Sequence, residues 1–173
     1  MTIEGVVLRR ERLDDAAAIR GVVEAAFRRS TEANLVDELR RERAVVASFV
    51  ASLDSRIVAH ALFSRVVIET ADAPLPAVAL APVAVLPEHQ RLGIGARLVN
   101  FGLESLRARG ERIAFVLGDP SYYRRFGFSI ELAKALNTPF PPSAYMALEL
   151  SADALIGVRG SVTYPAAFGA ATC

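Results

Sequence analysis

The sequence has 173 residues, 53% of them hydrophobic and 23% charged, and a net charge of +1 from 20 basic and 19 acidic side chains. That length suits one domain, 1–173 with a core at about 5–150, and that composition excludes a chain disordered throughout. So even a charge balance gives no electrostatic footprint for nucleic acid.

The first twelve residues carry Glu4, Arg9, Arg10, Glu11 and Arg12 rather than a secretory apolar core. No apolar run approaches the roughly 18–20 residues of a membrane span. The single cysteine, Cys173, has no partner for an intramolecular disulfide. A cytoplasmic protein with no membrane partner is expected.

Residues 5–10 read as a short strand. Ala16, Ala17, Ile19, Val22, Val23, Ala26 and Phe27 follow at helical spacing, with Asp14 or Asp15 as cap. Thr31 opens a second helix that turns Leu35, Val36 and Leu39 inward and ends in the charged run 40–43. Residues 45–52 and 56–69 are β-rich and meet at Leu53-Asp54-Ser55, a hairpin-like turn. Residues 70–77 read as a loop and 78–86 as a strand. Gly93–Arg109 is the clearest helix, and 112–118 is a strand apolar enough to be buried on both faces. Prolines and Gly127 break up 119–144, and strands return at 145–150 and 158–164. This order implies an α/β fold (α+β) built on a mixed sheet.

The chemistry concentrates at Pro87-Glu88-His89-Gln90-Arg91-Leu92-Gly93-Ile94-Gly95-Ala96-Arg97-Leu98, between a strand and a helix. Gly95, Leu98, Val99, Gly102, Leu103 and Leu106 form one apolar helix face, with Arg97, Asn100, Glu104 and Arg107 opposite. The first turn of a helix has unpartnered N–H groups and a partial positive charge, and glycines there admit a ligand close to the backbone. The result is an anion site suited to a diphosphate, with Arg91 and Arg97 at its rim. A dinucleotide fingerprint would need Gly or Ala where Leu98 stands. A P-loop would need Gly-Lys-Ser/Thr, and the one lysine is Lys134. Gln-x-x-Gly-x-Gly fits Gln90, Gly93 and Gly95. Glycines that only pack a helix against a sheet would give the same spacing.

The stretch LAPVAVLPEHQRLGIGARLV resembles the acetyl-CoA-binding motif of the GNAT N-acetyltransferase superfamily. GDPSYYRRFGF resembles the segment after that family's next strand, in the branch with a Gly-Asp-Pro-x-Tyr-Tyr run. The resemblance covers about residues 5–130. It implies a central, mostly antiparallel sheet with a splayed strand pair, flanked by helices. It also implies acetyl-CoA as co-substrate, no metal, and an arrangement compatible with a homodimer. By that resemblance the strand Ala81-Pro82-Val83-Ala84-Val85 lies beside the pantetheine arm, with main-chain groups of Val83 and Val85 bonding its amides. The amides of Arg91, Leu92, Gly93, Ile94, Gly95 and Ala96 wrap the diphosphate, Ala84, Gln90 and Arg97 join the cofactor-binding set, and Tyr123 lies near the thioester sulfur. Two departures stand out: Asp119-Pro120 replaces the asparagine often found after the strand, and Arg91 replaces a frequent glycine. Pro82 lacks an N–H in mid-strand, which weakens pairing there and favours a slot for a peptide-like arm.

The chemistry so implied is attack of a neutral amine on the thioester. A backbone N–H near Val85 meets the oxyanion and the Tyr123 hydroxyl meets the leaving sulfur. Glu32, Glu38, Glu69, His60 and a water chain are all open as the base. Arg124 and Arg125 reach the CoA phosphates or are simply solvated; Tyr122 is a pocket wall or core, and Phe126 and Phe128 are core. His60 and His89 make no metal-ligand pattern. Two other functions stay open: a CoA-holding sensor without turnover, and a nucleotide-binding protein using the same turn.

Overall fold

The computed structural model describes residues 5–171; Cys173 lies outside them. The chain forms β1 (Val7–Arg10), α1 (Ala16–Phe27), α2 (Thr31–Arg41), β2 (Val45–Leu53), β3 (Arg56–Glu69), β4 (Leu75–Val85), α3 (Ile94–Ala108) and β5 (Ile113–Leu117). The short pieces α4 (Pro120–Tyr123), α5 (Ile130–Ala133) and β6 (Leu136–Asn137) follow, then β7 (Tyr145–Glu149), β8 (Gly160–Thr163) and α6 (Ala167–Ala171). The sheet runs β1-β2-β3-β4-β5-β7. Its pairings are antiparallel except β4 with β5 and, off the main path, β6 with β8. β8 takes over the edge of β3 that β2 leaves free, pairing Val67–Glu69 with Thr163–Ser161.

Helices flank this sheet. α3 packs on β2, β3 and β4 through Leu98, Val99, Leu103 and Leu106, all buried. Gly102 permits that approach: a Cβ there would lie 2.5 Å from Phe63 Cε2 and 3.2 Å from Phe49 Cδ2. α1 buries Ile19, Val22 and Val23 against β3 and β4, and α2 leans on α1 and on α6. A second cluster, centred on Phe115 stacked on Tyr145, fills the space under α5, β6 and β8.

Three sequence expectations change. Asp14 or Asp15 does not cap α1 in the simple way, because Leu13–Asp15 forms a 3-10 turn first. The Asp15 carboxylate instead accepts from Arg9 (2.6 and 2.9 Å) and from the Arg12 amide (2.7 Å), which holds it down at about 2. β4 begins at Leu75, inside the expected loop. β5 reaches only Val78–Leu80, so Leu75–Ala77 is an edge, where Pro76 is tolerated. And β5 is not buried to its end, since Leu117 is 44% exposed.

Candidate active site

The site begins where β4 and β5 part. Their ladder joins Val78–Leu80 to Ala114–Val116 and stops there, although β4 continues to Val85. The break coincides with Pro82. Across the same step the β3–β4 register slips, Ala61 facing Val83 while Phe63 faces Leu80. One extra residue on β4 at this point bends the strand away.

The direction of the main chain beyond the bend follows from one hydrogen bond. Leu86 N–H donates to Val58 O at 2.9 Å, in a ladder that also sets Ala59 opposite Val85. By antiparallel alternation Ala84 and Leu86 turn their polar groups to β3, and Val83 and Val85 turn theirs into the gap. The Gln90 amide, donating to Val85 O at 3.0 Å, confirms that the carbonyl faces this way. The Val83 N–H and C=O and the Val85 N–H are left to face the slot. Ala84 is buried and faces β3.

The gap leads to the start of α3. Gly93 precedes that helix at φ 81°, and a left-handed residue followed by a right-handed one turns successive N–H groups toward one point. The first main-chain bond of the helix is Arg97 N–H to Gly93 O at 3.0 Å, so the amides of Ile94, Gly95 and Ala96 have no intrahelical acceptor. A Cβ at Gly95 would lie 3.1 Å from Val85 Cγ2 and 3.4 Å from Tyr122 Oη, which explains why no side chain stands there.

The other wall is the turn after β5. Asp119 caps α4, accepting from Ser121 N–H at 2.8 Å and from the Ser121 hydroxyl at 2.7 Å, and Pro120 fills the first helical position. This accounts physically for the Asp-Pro pair. The cap fixes Tyr122 and Tyr123, whose rings meet edge to face at 5.0 Å. The Tyr123 ring lies over Gly118, where a Cβ would be 2.5 Å from Cε2. Burial pushes the Tyr123 phenol up to about 12, with Tyr122 adding to the effect. Burial also raises Tyr122, against a smaller lowering by Arg125.

Together these elements enclose a cleft of about 530 Å³, within the range of small-molecule sites. Of the sequence-predicted residues, Val83, Val85, Gln90, Arg91, Gly93, Ile94, Gly95, Ala96 and Tyr123 line it; Ala84, Leu92, Arg97 and Arg124 do not. Ala26 and Phe27 at the end of α1, His89, Tyr122 and Arg125 also line it. His89 is 8% exposed, and its Nδ1 has no hydrogen-bond partner among the described residues.

The candidate bases lie elsewhere. His60 shares its face of the sheet with Ala84, opposite to Val83 and Val85. It is fully buried, bonded to Ser48 Oγ at 2.8 Å, and burial with Arg40 nearby lowers it to about 3. Glu32 pairs with Arg29 and Glu38 with Arg41. Glu69 is exposed and pairs with Ser161 at the far end of β3.

Residues 8–130 match the acetyltransferase (GNAT) domain family model. The chain is 35% identical over 153 residues to YhbS of Escherichia coli, described as an uncharacterized N-acetyltransferase, covering 87% of this chain and 90% of that one. It is 42% identical over 117 residues to YjhQ of Escherichia coli, similarly described, across 66% of this chain and 64% of YjhQ. In structure it resembles YhbS in complex with CoA, with a TM-score of 0.88 at 33% identity over 95% and 92% of the two chains. It also resembles a GNAT family acetyltransferase from Brucella melitensis in complex with acetyl-CoA, with a TM-score of 0.79 at 39% identity over 94% and 97%. The chain therefore belongs to the GNAT acetyltransferase family and is, as a class, an acyltransferase. Among the described residues no helix is long and apolar enough to cross a membrane, and no group of three His, Cys, Asp or Glu is placed to hold a metal ion.

Proposed function

We propose that this protein moves an acetyl group from acetyl-CoA to a primary amine of a small molecule or peptide, by direct attack in a ternary complex. The observation that carries this is the continuous path of free main-chain groups from Val83 and Val85 to the first turn of α3. A pantetheine arm is an extended chain with two amides that leads to a diphosphate, and that path offers main-chain groups to the first and the free amides of a helix start to the second. The complexes of the two similar proteins with CoA and acetyl-CoA support the same reading.

In this reading the free amides of Ile94, Gly95 and Ala96 meet the diphosphate, and the Val85 N–H, beside that turn, pairs with the arm as a neighbouring strand would. The Val83 N–H, two residues farther along the slot and so nearer the thioester than Val85, stabilises the oxyanion formed when the neutral amine adds to the thioester carbonyl. The C–S bond then breaks and the electron pair leaves on sulfur. Tyr123 donates a hydrogen bond to that sulfur. With the phenol at about 12 and an ordinary thiol at about 8.5, full transfer from the phenol is uphill by about 5 kcal/mol. The phenol therefore stabilises the thiolate by its hydrogen bond and keeps its own proton. The amine's proton leaves by the water route, the one among the candidates read from the sequence that does not need Glu32, Glu38, Glu69 or His60 to line the cleft.

Incubation with acetyl-CoA and a panel of polyamine, aminoglycoside, amino-acid and peptide acceptors tests this. Amine-dependent release of free thiol is the expected result. Binding of acetyl-CoA with no amine-dependent release would instead favour a CoA-holding module.

A further inference from the structure

We propose that Arg125 is a binding residue for the donor's diphosphate, gripping it from the α4 side while the α3 amides hold it from the other; the proposal rests on the acetyl-CoA reading above. Arg125 lines the cleft. Its Nε donates to Tyr122 O at 2.9 Å, and its guanidinium carbon stands 4.5 Å from the centroid of the Tyr122 ring. These two contacts fix the plane of the guanidinium and use one of its five N–H donors, leaving the terminal nitrogens without a partner among the described residues.

The ring beneath it sets where those donors lie. Tyr122 is held edge to face by Tyr123 at 5.0 Å and by Phe126 at 5.4 Å. Its hydroxyl reaches to within 3.4 Å of where a Gly95 Cβ would stand. One rigid aromatic side chain thus spans from the first turn of α3 to the face on which Arg125 rests. An anion seated on the Ile94–Ala96 amides would have the guanidinium on its flank. Stacking suits arginine and not lysine, because only a planar cation can rest on a ring and still point donors at a phosphate. Ordering the side chain before the ligand arrives also reduces the entropy lost on binding. Arg124, one residue earlier and exposed like Arg125, does not line the cleft.

Calorimetric titration of wild type, Arg125→Gln, Arg125→Lys and Arg107→Gln with acetyl-CoA and with 3′-dephospho-acetyl-CoA tests the proposal. Arg107 lies on the exposed side of α3 and controls for overall charge. Arg125→Gln should weaken both ligands equally, about 10- to 50-fold, since charge-assisted contacts are the strong ones. Arg125→Lys should fall in between, and Arg107→Gln should stay within about twofold. A loss seen only with the ligand that carries the 3′-phosphate would move Arg125 to that group and overturn the assignment. So would equal losses in Arg125→Gln and Arg107→Gln, or no loss in Arg125→Gln with an unshifted melting temperature. If Arg125→Gln is unfolded, the Arg125→Lys ratio between the two ligands decides. Wild-type protein that binds neither ligand would sink the acetyl-CoA reading itself, a different pattern from any of these.

Discussion

Replacing Tyr123 by Phe removes one oxygen and leaves the ring in place. That ring packs edge to face on Tyr122 and on Phe128, at 5.0 and 6.0 Å, and lies over Gly118. The hydroxyl has no hydrogen-bond partner among the described residues, so its loss orphans no buried group, and stability should change by less than about 0.5 kcal/mol. Its role lies in the transition state, as a donor to a sulfur that gains charge. Hydrogen bonds to charged groups are worth about 1.5–3 kcal/mol, which converts to roughly a 10- to 150-fold fall in kcat. The KM for acetyl-CoA should move by less than about threefold, because the bond strengthens only as the C–S bond breaks. Burial holds the phenol protonated up to about 12, so wild-type kcat should show no falling limb from this group between pH 8 and 10. The assay is continuous thiol release with the best amine of the panel, run as kcat and KM across pH. Unchanged kcat in Tyr123→Phe removes the hydroxyl from the mechanism. A fall in affinity as large as the fall in kcat would make it a binding group instead.

Gly118→Ala puts a methyl group 2.5 Å from Tyr123 Cε2 and must rotate the ring away. Its kcat should fall at least about tenfold, and the double variant with Tyr123→Phe should be no slower than the worse single one, because both remove the same hydroxyl. Gly95→Glu places a carboxylate among the amides of the α3 first turn and beside Val85; acetyl-CoA binding should drop below detection in a thermal-shift titration while the unliganded melting temperature stays within a few degrees. Gly102→Ala overlaps Phe63 and Phe49 in the core, so overpacking of about 1–3 kcal/mol outweighs the roughly 1 kcal/mol gained in helix propensity. Urea denaturation should show a net loss of up to about 2 kcal/mol. His60 is held at about 3 against 6.5 in the unfolded chain. The unfolded state takes up a proton that the native state refuses, so stability is full above pH 6.5 and declines as pH falls toward 3. Between pH 6 and 4.5 the loss should be roughly 2 kcal/mol, and His60→Gln should abolish that slope in denaturant titrations. Asp15, held at about 2 mainly by its bond to Arg9, contributes above pH 3.8 and is lost between 3.8 and 2, so its loss leaves the His60 reading between about pH 6 and 4.5 undisturbed.

The strand, glycine turn and helix at 78–109 were legible because two periodicities meet there. An apolar strand ends at Pro87, and a 3.6-residue stripe begins at Gly95. Pro82 marked the bend for a physical reason: a missing N–H weakens a ladder, and the β3–β4 register slips at that step. Other features needed register or facing, which a single sequence does not carry. The sequence could not show that Ala84 faces β3 while its neighbours face the slot, since that parity depends on a bond from Leu86 to Val58. Nor could it choose between Arg124 and Arg125, because α4 and the turn after it are too short for periodicity to define a face. Phe27 continues the apolar helical spacing of α1, which does not show that it ends that helix at the cleft. Gly118 carried no signal, as the ring that excludes a side chain there is five residues away in sequence. His60 stood open as one of several bases; the sequence did not show its depth in the sheet or its bond to Ser48, away from the cleft.

Amide hydrogen exchange on the uniformly labelled protein, with and without acetyl-CoA, reads the occupancy of the slot residue by residue. Saturating ligand should slow exchange at Val83, Val85 and the run Ile94–Ala96, leaving Ala84 as slow as it is without ligand. Exchange at those amides that is indifferent to acetyl-CoA, or already fully protected without it, would contradict a slot built from free main-chain donors.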